Sequence, residues 1–322
     1  MGIRWGLCCQ FADAGVHFRQ ATHRYVSTLS PAGRTAYLRD IARANAIALA
    51  HAVARCNELE IGAFRMSSQI LPLITHPVSG YSLAQLDDDE VMTRSFALAG
   101  ALARAHDVRL SFHPDQFVVL NSVRDEVVSS SIRELDAQAT LGAIVGADTI
   151  TLHVGGMTDG KQASLDRLER NLDRLSSAAR ERLALENDDR LFTVRDLHPL
   201  CMRTNVPLVY DVHHHRCNAD GLDVETATGL GVETWRGREP WMHIATARDG
   251  VDAPNARPHA DYIDPDDFPR EWLMRDITID VEAKAKDAAI IALRDALRER
   301  FEPASPSAPS GARRIRRPTL AR

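Results

Sequence analysis

No stretch of this 322-residue chain approaches the roughly 20 consecutive apolar residues that a membrane-spanning helix needs, so a bilayer-crossing helix is not expected. The start, MGIRWGLCCQF, has neither a long apolar core nor a small-residue cleavage site. A secretory leader is therefore not expected, and the expected location is cytoplasmic. Cysteine is sparse: Cys8, Cys9, Cys56, Cys201 and Cys217 show no CxxC spacing. The adjacent pair Cys8-Cys9 cannot form a relaxed disulfide with itself, which leaves reduced thiols as the default. An excess of positive charge is missing too, because 39 Lys and Arg face 44 Asp and Glu for a net charge of -5. That absence excludes little. A site holding two or three divalent cations adds roughly +4 to +6 locally and reverses the sign a phosphate meets. Finally, no single local motif gathers the histidines and carboxylates.

They are instead spread along the chain at the ends of short β-like runs. With 44% hydrophobic and 26% charged residues, the chain is long enough for one large α/β barrel or two ordinary domains. Periodicity gives candidate strands over Ile3–Cys9, Ile61–Met66, Val108–Phe112, Thr149–Val154, Leu183–Glu186, Pro207–Asp211, Met242–Ala245 and Ile277–Val281. Helix-like stretches separate them, over Thr35–Asn57, Val91–His106, Glu126–Val145, Gln162–Ala179, Val194–Thr204, Val224–Trp235 and about Glu282–Arg300. Strand-helix alternation repeated eight times predicts a (β/α)8 TIM barrel, with a doubly wound sheet as the competitor. The polar residues decide for the barrel: His113 follows RLSF, His153 follows TITL, Glu186 follows LAL and Asp211 follows LVY. Barrel enzymes assemble their sites at that C-terminal edge. The expected organisation is one barrel domain over 1–302 and a disordered, basic Pro/Ser-rich tail over 303–322. The stretch Thr246–Trp272 is far longer than an ordinary connection of about 4 to 6 residues, which marks it as functional or disordered.

Hard divalent ions are held by imidazole and carboxylate, and a bridging carboxylate lets two or three of them share a phosphate. His113, His153, Glu186, Asp211, His214, His243, His259 and Glu282 supply such a set without a thiolate. Glu186, in mid-series, is the candidate bridge. In a strand continuing past Asp211, His214 would point away from the site, so a bend is needed to bring it in. Glu282 has a second reading, as the first-turn acid of the last helix. Arg65 and Arg216, both near strand ends, are candidate phosphate contacts.

The motifs HPDQFVVL, TLHVGG, LENDD, LVYDVHHH, HADYID and VEAKAK, in this order, resemble the UV damage endonuclease family, UvdE or UvsE, from Arg4 to about Arg300. The resemblance implies a TIM barrel like that of endonuclease IV, a manganese-type cluster, with Zn(II) or Mg(II) as other divalent options, and a cut immediately 5′ to a lesion in double-stranded DNA. It implies that His113 and His153 share one ion with the bridging Glu186, that Asp211, His243 and Glu282 complete a second, and that His214 and His259 hold a third. It also implies that His76, in LPLITHP, lies by the metals and the scissile phosphate, giving Glu186 and His76 as catalytic residues.

Two departures from the family pattern stand out. Where the family has a lysine two residues before the seventh-strand histidine, this chain has Trp241 before His243; Asp261 is a candidate substitute acid. The family's lesion probe, a Gln-Tyr pair and a first-strand tyrosine, reads here Gln116-Phe117 and Leu7. The alternative function on the same ligands is a metal-dependent sugar isomerase or epimerase, which needs a compact pocket rather than an open groove with a wedge. The enzyme is expected to act as a monomer, without a membrane.

Overall fold

The computed structural model describes residues 2–13, 15–87 and 90–301; the tail expected over 303–322 lies outside the described residues. Eight parallel strands close on themselves in sequence order: β1 Ile3–Cys8, β2 Ala63–Met66, β3 Arg109–Phe112, β4 Thr149–His153, β5 Leu183–Glu186, β6 Leu208–Asp211, β7 Trp241–Ile244 and β8 Ile277–Val281. The protein is a (β/α)8 TIM barrel. Its helices are α1 His23–Val26, α2 Pro31–Glu58, α3 Leu83–Leu86, α4 Val91–Ala105, α5 Asp125–Val145, α6 Lys161–Leu172, α7 Ser177–Arg182, α8 Val194–Thr204, α9 Val212–Cys217, α10 Val224–Glu233 and α11 Asp287–Phe301. None is both long and apolar enough to cross a membrane among the described residues.

The two-residue period of each strand sends alternate side chains outward to the helices and inward to the barrel axis. Outward residues such as Trp5, Leu7, Phe64, Leu110, Ile150, Leu185, Tyr210, Met242 and Ile279 join the helix faces in one large core. Inward residues are smaller or polar: Ala63, Ala184, Val209 and Trp241, with Trp235 from the turn after α10, make a separate inner core. Both faces are covered, which is why the strands read as apolar runs. The register fixes what lies level across the barrel: Cys8 sits beside Arg65, His153 beside Glu186, Asp211 beside His243, and His243 beside Asp280.

Two segments differ from the periodicity reading, each for a local reason. The helix expected over Gln162–Ala179 is two, because the Ser176 hydroxyl accepts from the Ala179 N–H and starts α7 afresh. The last helix begins at Asp287 instead of Glu282. Residues 284 and 285 are tied to the long β7–β8 connection through Lys284 N–H to Ala260 O and Ala285 N–H to Asp261 O. The sixth strand ends at Asp211, as expected, and turns at once into α9, with the Asp211 carboxylate capping it through the His214 N–H at 2.7 Å.

Candidate metal centre

That cap supplies the bend His214 needs. One turn of helix past the end of β6 brings its ring over Asp211, so Nδ1 lies 3.3 Å from Glu186 Oε1 and 3.5 Å from Asp211 Oδ2. Its two neighbours in the His tract are occupied elsewhere. His213 gives Nε2–H to Arg257 O, and the His215 ring lies between the Tyr210 hydroxyl and Asp220.

Glu186 is the centre of the arrangement. Wholly buried at the end of β5, its carboxylate meets His113 Nε2 and His243 Nδ1 at 2.8 Å each, and His153 Nε2 at 3.5 Å. Burial by itself would raise its pKa, yet His243, His153, His113 and His214 hold it well below the usual carboxylate range. Asp211 closes the next gap, with Oδ2 4.0 Å from His243 Nδ1, and Glu282 Oε1 lies 3.6 Å from the same nitrogen. His259 stands at the rim, its Nδ1 3.6 Å from Glu282 Oε2. The structure thus brings together His113, His153, Glu186, Asp211, His214, His243 and Glu282, and sets His259 beside them.

The donor set suits a divalent ion. His113, His153 and Glu186 place one ligand atom each within 4.8 Å of one another, and so do Glu186, Asp211 and His214. Asp211 Oδ2 and His153 Nδ1 are buried without a hydrogen-bond partner. His113 gives Nδ1–H to Pro114 O at 3.1 Å, which aims the Nε2 lone pair at Glu186 Oε2; two acceptors 2.8 Å apart demand a proton or a cation between them. His214 Nδ1 likewise meets Asn187 O at 3.0 Å, so Nε2 is the nitrogen left for an ion. Burial lowers the His153 pKa, so that ring is neutral and ready to ligate.

Other expected residues stand apart. Leu7 is fully buried on the outward face of β1 within the helix-side core, and therefore packs the wall instead of probing a lesion. Arg65 is a correction too. Its side chain is inside the barrel, with Nε 2.9 Å from Asp280 Oδ2 and Nη2 2.6 Å from Glu282 Oε1, and is not free for a surface phosphate. Arg216 ties α9 to the long connection by donating to Asp267 O at 2.7 Å. Trp241 belongs to the barrel floor: Arg109 lies 4.6 Å over its ring and its indole N–H donates to Asp148 Oδ1. Asp261 is exposed, 3.9 Å from Lys284, and so does not replace the missing lysine in the cluster. Gln116 and Phe117 stand on the connection after β3, and Phe117 is 78% exposed.

His76 lies on the connection after β2, where its Nδ1 accepts from the Val78 and Ser79 N–H groups and its ring stacks on His23 at 4.4 Å. With Nδ1 accepting twice, the proton of the neutral ring is on Nε2. Burial and the nearby His23 lower its pKa.

Two residues of the site escaped the sequence reading. Asn187 bridges β5 and β6, its amide exchanging 2.9 Å bonds with the Asp211 backbone N–H and C=O. Asp280 lies 3.6 Å below His243 Nε2. The signal for Asp280 was present in ITIDVE, where period two puts it on the same face as Glu282.

Comparisons with known proteins agree with this geometry. The family model of UV-endonuclease UvdE matches residues 3–308. A UV DNA damage endonuclease of Bacillus cereus (strain G9842) is 32% identical over 249 residues, covering 74% of this chain and 76% of its own length. The crystal structure of SacUVDE aligns with a TM-score of 0.81 at 29% identity, over 92% of this chain and 98% of that one. Endonuclease IV from Thermus thermophilus shares the fold, with a TM-score of 0.59 at 16% identity over 92% of this chain and 99% of that one. A match that runs from the first strand to beyond the last helix takes in every residue of the cluster, and the chain belongs to the UV-endonuclease UvdE family.

Proposed function

We propose that the protein is a metal-dependent DNA repair endonuclease that nicks the phosphodiester backbone immediately 5′ to a UV lesion, with two or three divalent ions, Mn(II) first among them, in the cluster around Glu186. One observation carries the reading: in a chain of the UvdE family, a single buried carboxylate is met by four imidazoles, at 2.8 Å (His113), 3.5 Å (His153), 3.3 Å (His214) and 2.8 Å (His243). Divalent ions bound there supply Lewis-acid charge for phosphodiester hydrolysis. Glu186 bridges the two sides of the cluster, with His113 and His153 on one and Asp211, His214, His243 and Glu282 on the other. Glu186, Asp211 and His243 are buried in the barrel wall, which leaves them little room to reorganise when substrate binds. His76 offers Nε2–H to a phosphate oxygen, since its Nδ1 is committed to the backbone. Phe117, exposed beside Gln116, wedges into the base stack at the lesion, where stacking is already impaired.

Family membership takes the place of the sugar isomerase reading. The test is incubation of purified, Mn(II)-loaded protein with UV-irradiated supercoiled plasmid beside an undamaged control. Damage-dependent conversion to the nicked circle is expected, with a 3′-hydroxyl and a 5′-phosphate at the cut. A protein confirmed to carry metal that leaves both plasmids supercoiled would sink the proposal.

A further inference from the structure

His243 has two faces, and only one belongs to the cluster. Nδ1 points at Glu186, Asp211 and Glu282, so Nδ1 is the atom that can ligate. On the Nε2 side Asp280 Oδ2 lies 3.6 Å away, beyond a hydrogen bond. Asp280 is itself gripped from β2: Arg65 Nε donates to the same Oδ2 at 2.9 Å, while Arg65 Nη2 reaches on to Glu282 Oε1 at 2.6 Å and stands 3.3 Å from His243 Nε2. One guanidinium therefore touches two carboxylates and the imidazole they flank. Asp280 and Arg65 are both buried. The chain makes room for them at Gly6, where a Cβ would stand 2.1 Å from Asp280 Oδ1. Burying such a pair has a desolvation cost that a hydrophobic pair of the same volume would avoid. Its place beneath a ligand set suggests what is gained in return.

We propose that Asp280 and Arg65 form a positioning pair: Asp280 holds the Arg65 guanidinium, which aims Glu282 and backs the His243 ring, so that together they set the affinity of the ion position formed by Glu186, Asp211, His243 and Glu282. This rests on reading the cluster as a metal centre. Neither residue touches the ion. A hydrogen-bonding partner behind a ligating carboxylate fixes its orientation, and losing such a partner weakens metal binding by about 10- to 100-fold.

The test is titration of the metal-free full-length protein with Mn(II), and with Co(II), whose visible absorption reports ligand geometry. In Asp280→Asn, affinity at the His243 position should fall about 10- to 100-fold and the Co(II) bands should shift, while the His113/His153 position keeps its affinity. Because Asp280→Asn takes one of two carboxylates from a buried guanidinium, the double variant Arg65→Met, Asp280→Asn removes both charges of the pair as a second background. It should show the same selective weakening. Arg65→Lys, which keeps one cation for Asp280, should recover part of the affinity that Arg65→Met loses. Unchanged Mn(II) affinities and an unchanged Co(II) spectrum in the folded double variant overturn the proposal. Wild-type protein that takes up neither metal defeats the metal reading itself, whereas uptake that survives equally in the variants defeats only the positioning pair.

Discussion

The barrel carries two inward-facing polar clusters, one at each end, and they are solved in opposite ways. At the floor, Arg4 pairs with Glu239 at 2.9 Å and Asp107 at 3.0 Å, and Arg109 pairs with Asp148 at 2.9 Å. Thr278 and Trp241 take up further oxygens, at 2.6 Å on Glu239 and 3.3 Å on Asp148. Cations and anions there are matched by planar guanidinium forks. At the mouth, the guanidinium of Arg65 reaches two of four carboxylates, Asp280 and Glu282, while Glu186 and Asp211 face imidazoles and the His214 backbone N–H. One oxygen each on Asp211 and Asp280, and one nitrogen of His153, have no partner. A polar cluster that satisfies itself is structural; one that leaves buried donor atoms open is built for something the chain does not supply.

Glu186→Gln tests the mouth most severely. The amide keeps the volume but cannot bridge, and cutting of irradiated plasmid should fall by at least about 10²- to 10³-fold, with loss of bound metal. Metal content and nicking are measured on the same sample. Retained cutting with a full metal complement would refute the bridge.

The floor should answer differently. Glu239→Ala removes acceptors from Arg4, Arg109 and Thr278 at once, at a half-buried site, and should cost about 1 to 3 kcal/mol of stability by urea unfolding. Metal uptake per folded molecule should not change. If Glu239→Ala lowered metal affinity at constant stability, the division between the two ends would be wrong.

A third contrast separates the wall from the rim. Phe117→Ala removes an exposed ring, so stability should move by no more than about 0.5 kcal/mol. Base stacking is worth about 1 to 3 kcal/mol, so preference for damaged over undamaged plasmid should drop roughly 5- to 150-fold with metal content intact. Equal loss of metal and preference would mean that Phe117 supports the cluster.

Such contrasts also explain what the sequence could and could not disclose. Four of the eight apolar runs end at or beside His113, His153, Glu186 and Asp211, which was enough to expect these residues at one rim, because strand order and strand ends are local properties. Direction is not local. Leu7 and Gly6 are adjacent, yet one faces the helices and the other the axis, and only the register against Ala63 and Asp280 tells which. Arg65 was visible as a strand-end arginine, but its commitment inward depends on Asp280, 215 positions away. Trp241 looked like a defect in the ligand set. The partners that make it part of the floor, Arg109 and Asp148, lie on and beside other strands.

The smallest expected effect, and the one that compares the two ends most directly, is on pH. The floor is held by arginines, which do not titrate near neutrality. At the mouth, burial lowers the His214 and His243 pKa values, but Asp211 and Glu186 beside His214, and Glu186 beside His243, more than offset it and leave both raised. A raised folded pKa contributes stability that is fully present below the ordinary imidazole value of 6.5 and is lost as pH rises through the folded values. The metal-free protein should therefore lose stability as pH rises above about 6.5. The loss should shrink in Glu186→Gln, which leaves Asp211 beside His214, and persist in full in Glu239→Ala. Ions need those imidazoles deprotonated, so Mn(II) affinity should rise over the same range with release of about two protons, read by calorimetry in buffers of different ionisation enthalpy. A metal-free stability that is flat over that range, or that depends on pH equally in Glu186→Gln, would mean that the mouth is as well matched internally as the floor.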